Sequence, residues 1–234
     1  MTPPISIDGT DITGATIDGT DVQEITVDGD VVFSAGPSYP PGTVDNFQSG
    51  NLNNYNGELN EFNITSTNPI DGSFSLNGSV DVNYIYSKSG LPNYPQAGDS
   101  FSFKMRVEGT VNIFCGMVFG VQANEDENYS VFMSSDGDDV RLRKNVGQVS
   151  FGSGLGGFNN SQNYNNDVFR FEVDWGTNGT ITVTVHNETT STQIGSGSVN
   201  DSSYTSGGIG WTASRFTGSI TDPSRIIYDQ AVLL

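Results

Sequence analysis

The chain has 234 residues, with 27 acidic side chains against 9 basic ones and a formal net charge of −18. Such a surface repels phosphate backbones and anionic headgroups, which excludes nucleic acid as a partner, and no apolar stretch is long enough for membrane insertion. Aromatic residues make up 11% of the chain, enough to bury a core despite the charge, and the length suits one large all-β domain or two smaller ones.

The Asp-rich, Lys-poor surface is similar to that of proteins from extreme halophiles, where salt screens self-repulsion within the fold. The opening residues, Met1-Thr2-Pro3-Pro4-Ile5-Ser6, carry neither a basic segment nor an apolar core of a leader. The expectation is a protein displayed outside a cell without a cleaved leader, as for a virion component released by lysis or a protein exported by some other route. Cys115 is the only cysteine, so neither an intrachain disulfide nor a thiolate metal cluster can form.

A ten-residue repeat follows: Ile7-Asp8-Gly9-Thr10-Asp11-Ile12, Ile17-Asp18-Gly19-Thr20-Asp21-Val22 and Val27-Asp28-Gly29-Asp30-Val31-Val32. In each copy β-formers flank Asp-Gly, the pair that supplies the positive φ angles of a two-residue hairpin turn. Residues 1–34 are therefore expected to form short β-hairpins, too small to stand alone, that anchor or oligomerise the chain. The acidic spacing matches neither an EF-hand nor a glycine-rich calcium nonapeptide. Residues 35–42, with three prolines and two glycines, read as a linker.

From residue 43 to 234, strand signals alternate with turn punctuation. Phe101 to Val107 alternates cleanly, Val111 to Val121 is nearly all apolar, and Tyr129 to Met133 leads through Asp136-Gly137-Asp138-Asp139 into Val140 to Arg143. Val168 to Trp175 runs through Asn178-Gly179 into Ile181 to Val185. That pairing places Phe169, Phe171, Val173 and Trp175 on a buried face with Ile181, Val183 and Val185, while Arg170, Glu172 and Asp174 point away. Gly152-Ser153-Gly154-Leu155-Gly156-Gly157 satisfies Gly-x-Gly-x-x-Gly, but no helix start follows it, so a flexible loop is expected.

The order of these features resembles the concanavalin A-like (laminin G-like) jelly-roll superfamily. Asp45-Asn46-Phe47-Gln48-Ser49-Gly50-Asn51-Leu52, Tyr55, Asp71-Gly72-Ser73 and Leu76 look like its opening strands. Asn128-Tyr129-Ser130-Val131 with Val140-Arg141-Leu142 resembles its central hairpin. Phe169 to Val173, Asn178-Gly179, Gly207-Gly208-Ile209-Gly210-Trp211 and Ile227 to Val232 look like its closing strands. The resemblance implies a two-sheet antiparallel jelly-roll sandwich preceded by the β-hairpin repeats, and structural calcium, for which Asp136-Gly137-Asp138-Asp139 is a candidate contributor beside its reading as a hairpin turn; no other cofactor is expected. The Asp-Gly repeats resemble N-terminal segments of structural proteins of tailed viruses that infect halophilic archaea. That implies a virion surface protein, such as a capsid turret, spike or tail fibre, assembled as a homo-oligomer (trimer or pentamer) with other virion proteins.

Candidate chemistry is sparse. Glycoside hydrolases on such folds can carry Glu-x-Asp-x-x-Glu; here Glu172-Val173-Asp174 begins the motif but Thr177 stands where the second Glu belongs, so the two-carboxylate mechanism lacks its partner. His186, the only histidine, has outward parity and no Gly-x-Ser-x-Gly elbow to accompany it. Glu125-Asp126-Glu127 reads as a solvated loop. The expected protein is not an enzyme. Sugar recognition uses aromatic faces beside amides and charges, which makes Tyr129, Tyr164, Trp211 and Arg215, with Asn159 and Asn163 of the Asn-rich loop, the candidate ligand residues. Trp211 and Tyr129 also suit the core. Attachment to host-surface glycans is the leading expectation, against a decoration protein without ligand or a glycan-active hydrolase.

Overall fold

The computed structural model describes residues 6–7, 10–11, 16–17, 20–21, 24–27, 30–34, 40–78, 83–108, 113–134, 139–145, 153–159, 166–215 and 225–234. Two units are distinguished, Met1–Pro40 and Pro41–Leu234. In the first, β1 (Ser6–Ile7) pairs with β2 (Thr10–Asp11), β3 (Thr16–Ile17) with β4 (Thr20–Asp21), and β5 (Glu24–Val27) with β6 (Asp30–Ser34), all antiparallel. The registers Ile7↔Thr10, Ile17↔Thr20 and Val27↔Asp30 leave two residues, Asp-Gly in each case, between the partners.

The second unit opens with β7 (Thr43–Asp45), β8 (Asn56–Gly57), a 3₁₀ turn at Leu59–Glu61, β9 (Phe62–Thr65), β10 (Ser75–Gly78) and β11 (Asn83–Ser87). It continues through β12 (Ser100–Glu108), β13 (Ile113–Val121), β14 (Asn128–Ser134), β15 (Asp139–Asn145) and β16 (Ser153–Asn159). It closes with β17 (Val168–Trp175), β18 (Thr180–Asn187), β19 (Thr192–Asn200), β20 (Gly208–Arg215) and β21 (Arg225–Leu233). Two antiparallel sheets result. One has the order β19-β18-β17-β12-β21-β10-β9, with β7 also paired to β21; the other runs β16-β15-β14-β13-β20-β11-β8. This is the expected two-sheet jelly roll.

Strict alternation builds the core. In β17 and β18 the odd-numbered residues Phe169, Phe171, Val173, Trp175, Ile181, Val183 and Val185 are buried. The facing sheet contributes Cys115, Met117, Phe119, Tyr129, Val131 and Trp211. The rings interlock: Phe103 stacks on Phe171 at 4.7 Å, and Phe119 meets Trp175 edge-on at 5.0 Å. Such offset and edge contacts add to the value of the burial itself.

Two of the polar links between the layers run through β20. Trp211 Nε1 donates to Tyr55 Oη at 3.1 Å, and Tyr55 Oη donates to Asp45 Oδ2 at 2.8 Å. Asp45 Oδ1 accepts from Phe47 N–H at 2.7 Å, which holds Phe47 at φ 57°, a left-handed conformation that a bulky residue adopts only when restrained. The second link runs from Tyr228 Oη to the Thr212 carbonyl at 2.7 Å.

The glycine run expected to be a loop is instead largely a strand. β16 pairs with β15 at the edge of its sheet, with Gly157 opposite Arg141 and Gly156 opposite Leu142. The absence of side chains is what lets it lie there: a Cβ on Gly157 would fall 2.0 Å from the Val140 carbonyl oxygen, and one on Gly156 2.7 Å from Val199 of β19. Opposite, Gly195 of β19 leaves room for the Phe158 ring, which a Cβ would meet at 2.3 Å. The glycine-rich edges thereby close one side of the sandwich.

Gly116 in β13 is the stricter case, since its Cβ would fall 2.1 Å from the Val131 carbonyl oxygen, whereas a Cβ on Gly154 meets nothing within 4 Å. Gly116→Ala is expected to cost about 2–4 kcal/mol in urea unfolding, because backbone cannot give way as a side-chain tip can, while Gly154→Ala stays within about 0.5 kcal/mol of wild type. Equal costs at the two positions would contradict the register described.

Candidate functional site

The strands that bury Cys115, Met117, Tyr129, Val131, Ile209 and Trp211 present their alternate residues on the outward face of the seven-stranded sheet. Pairing aligns those residues in rows. One row is Tyr84, Thr212, Gly116, Phe132 and Arg141; the next is Tyr86, Gly210, Val118, Ser130 and Arg143. The middle of both rows is nearly bare, because β20 and β13 place Gly210, Thr212, Gly116 and Val118 there. Three strand spacings, about 14 Å, separate the tyrosines from Phe132.

Aromatic rings stand on either side of this floor. Tyr84 and Tyr86 stack at 5.4 Å with 29° between their planes. Across the floor, Phe114 meets Phe132 edge-on at 5.2 Å, and the Arg143 guanidinium lies over the Phe132 ring at 5.3 Å. Tyr84 and Phe132 are buried and act as supports, while Tyr86 and Phe114 are half-buried. Lys88 sits 5.5 Å from the Tyr86 ring centre and pairs with Glu125 at 2.8 Å. Burial pushes the Tyr84 phenol up, and the nearby Tyr86 ring reinforces the shift, so both hydroxyls stay neutral hydrogen-bonding groups. Arg141 is hydrogen-bonded to Asp139 through Nη2, and Asn145 Nδ2 reaches Asn128 Oδ1 at 2.6 Å and Ser130 Oγ at 3.2 Å.

The residues expected from the sequence fall in different places. Asn159 is exposed at the end of β16, opposite Asp139 and on the outward parity of this face. Trp211 and Tyr129 are core residues, both 0% exposed, so neither ring can stack on a ligand. Their polar atoms are engaged as well: the indole with Tyr55, and Tyr129 Oη with Asp201 Oδ1 at 2.5 Å. Both sit on inward positions of central strands, and β-parity there overrides the general liking of sugars for aromatic faces. Arg215 ends β20 in register with Ile113, and its side chain lies outside the described residues, as do Tyr164, Asn163 and the turn residues 135–138. Asp139 of that turn motif belongs to β15. The rings at 84, 86, 114 and 132 and the arginines at 141 and 143 were missed, although each alternates with a buried apolar neighbour and was open to the same period-two reading.

The strand carrying Glu172 and Asp174 faces outward from the other sheet. Glu172 is ion-paired with Arg170 and lies 3.3 Å from His186 Nε2, and Arg170 also holds Glu188 at 2.8 Å. Burial and Arg170 lower the His186 pKa, leaving the imidazole neutral near pH 7. This ladder is a compensated polar surface rather than an acid and nucleophile pair.

One further cleft, of about 120 Å³, is lined by Asn46, Gln48, Asp71, Gly72, Asp229 and Gln230. Its donor set resembles what an oxygen-liking cation needs, but the carboxylates are already committed. Asp229 Oδ2 accepts from Ser75 Oγ at 2.7 Å and from Asp71 N–H at 3.0 Å, and its Oδ1 accepts from Gln230 N–H at 2.8 Å. Asp71 accepts from Gly72 N–H and from the Gln230 side-chain amide. Calcium takes six to eight oxygens; two carboxylates with their oxygens filled by N–H and O–H donors do not fit it. Burial nevertheless pushes the Asp229 carboxyl up to about 6. Among the described residues no three metal-ligating side chains cluster.

No protein-family profile matches the chain, and no curated protein matches it in sequence. Solved structures do resemble it. The carbohydrate-binding module CBM66 from Bacillus subtilis superposes with a TM-score of 0.52 at 12% identity, covering 78% of this chain and 96% of its own. The cellulose-induced protein Cip1 gives 0.51 at 13% identity, covering 81% and 95%. The exoplasmic/lumenal domain of VIP36, in a form bound to Ca²⁺ and Man2, gives 0.50 at 13% identity, covering 83% and 86%. At these identities the likeness establishes the architecture alone: the second unit is a two-sheet jelly-roll sandwich of concanavalin A-like fold.

Proposed function

We propose that the protein binds glycans, without turning them over, on the outward face of its seven-stranded sheet. The observation that carries this reading is the pairing register, which sets half-buried Tyr86 along one side of a glycine-lined floor and half-buried Phe114 at its end, with Arg141, Arg143 and Asn159 at the rim. Aromatic rings cover the apolar face of a sugar, while hydroxyls, amides and guanidinium groups read its hydroxyls. The likeness to a carbohydrate-binding module supports it. Against catalysis, the candidate Glu172 is neutralised by Arg170, and on the aromatic face Asp139 is engaged by Arg141, so neither stands as a free member of a carboxylate pair.

Tyr86→Ala tests the reading on a glycan array followed by titration. The variant is expected to keep the wild-type melting temperature and to bind the best array glycan about tenfold more weakly, in keeping with the loss of one stacking ring. A wild-type protein that retains no glycan on the array, in low and in molar salt, would overturn the proposal.

For the biological setting, we propose display on a virion surface with residues 1–34 as the assembly element; the resemblance of the Asp-Gly repeats and the halophile-like acidity support it. Light scattering of the full chain in molar salt is then expected to give a closed oligomer, a trimer or pentamer, and a chain starting at Thr43 a monomer. Two monomers would count against an assembly role for the repeats.

A further inference from the structure

We infer that the glycan site selects acidic sugars, using Arg141 and Arg143 as a receptor for a uronic-acid carboxylate. This rests on the proposed glycan face and names the class of ligand it takes. β15 is the source of the charge: Val140 and Leu142 point into the core, so the residues between and after them, Arg141 and Arg143, emerge side by side on the outward face. In a chain of net charge −18, two neighbouring guanidinium groups beside the single carboxylate of Asp139, on the face that carries the half-buried rings, are a local excess of positive charge among the described residues.

Each guanidinium is held by a different device. Arg141 is oriented by Asp139, and Arg143 lies on the Phe132 ring at 5.3 Å. A planar fork fixed in this way is organised in advance for two parallel hydrogen bonds to a carboxylate, which a lysine would not offer. Like charges this close work against one another: burial, and then Arg141, disfavour the charged form of Arg143.

The remaining surface does not forbid an anionic ligand. Among the described residues, Lys104–Glu188, Arg170–Glu188 and Arg225–Glu108 are ion pairs as Arg141–Asp139 is, so part of the repulsive charge is compensated locally. Its reach shrinks to about 8 Å at physiological ionic strength and about 3 Å in molar salt, whereas a contact pair of guanidinium and carboxylate is screened much less. A polyuronate is therefore expected to bind in salt concentrations that abolish non-specific attraction.

The test uses the full chain in ~0.5 M NaCl and two probes that differ only in charge, an α-1,4-linked pentagalacturonate and its fully methyl-esterified form, titrated calorimetrically. The acid is expected to bind about tenfold more tightly than the ester, in the range for charge-assisted bonds. Arg141→Gln and Arg143→Gln should each reduce that preference to less than about threefold, whatever each costs in binding of the ester. Arg141 is exposed, so its variant keeps the test informative if Arg143→Gln unsettles the Phe132 contact. Ester bound as tightly as acid, or a preference that survives both substitutions, would overturn the acidic subsite and leave the glycan face standing. Binding of neutral array glycans with neither galacturonate form bound overturns it in the same way. Absence of any glycan binding is the separate failure of the proposed function.

Discussion

The strand β20 is where the sandwich and its outward face are tied together. Trp211 sends its indole N–H inward to Tyr55, which passes the link to Asp45, and the next residue, Thr212, takes a hydrogen bond on its carbonyl from Tyr228 of the opposite sheet. Each such buried bond contributes only about 0.5–1.5 kcal/mol net, but leaving its partner unmade costs about 1–3 kcal/mol. The two links therefore specify one position for β20 more than they add to stability. That position decides where Gly210 and Thr212, the floor between the ring pairs, come to lie. Desolvation raises the Asp45 carboxyl pKa while its hydrogen bonds from Phe47 and Tyr55 oppose the shift, as expected of a buried group retained for geometry.

With β20 fixed, period-two alternation makes every strand of the seven-stranded sheet serve two faces. Tyr129, Val131 and Met133 fill the core, and Ser130 and Phe132 between them line the outer surface. The glycines matter on both accounts. Gly116 allows β13 and β14 to approach closely and leaves no side chain on the floor. The acidic surface, useful for solubility in salt, is interrupted where β15 presents its two arginines, and this contrast gives the face a chemical preference as well as a shape.

Much of the architecture was legible in the chain. The alternation from Val168 to Trp175 and the Asn178-Gly179 turn gave the β17–β18 hairpin with its buried face, because both signals are local and strong. The glycine run was misjudged: the strand character of Ser153–Asn159 comes from contact with Val140 of the preceding strand and, across the sandwich edge, with Val199, which is far away in sequence. The site was less legible still. Trp211 and Tyr129 were attractive as isolated aromatics, yet their inward parity is decided by which sheet face closes over them. Tyr84, Tyr86, Phe114 and Phe132 come from three separated strands, and only the pairing register reveals that they border one floor. Asn159, expected in an Asn-rich loop, instead ends an edge strand opposite Asp139 and is exposed there.

The central claim is that the outward face of the seven-stranded sheet, and no other surface, receives the glycan. Backbone amide NMR of the isotopically labelled full chain, titrated with the best-binding oligosaccharide, tests it most directly. The account predicts shifts concentrated at residues 84–86, 114–118, 130–132, 141–143 and 210–212, with the strand carrying Glu172 and its partner carrying His186 unmoved. Shifts confined to that second face, or to the cleft between Asp71 and Asp229, would contradict it.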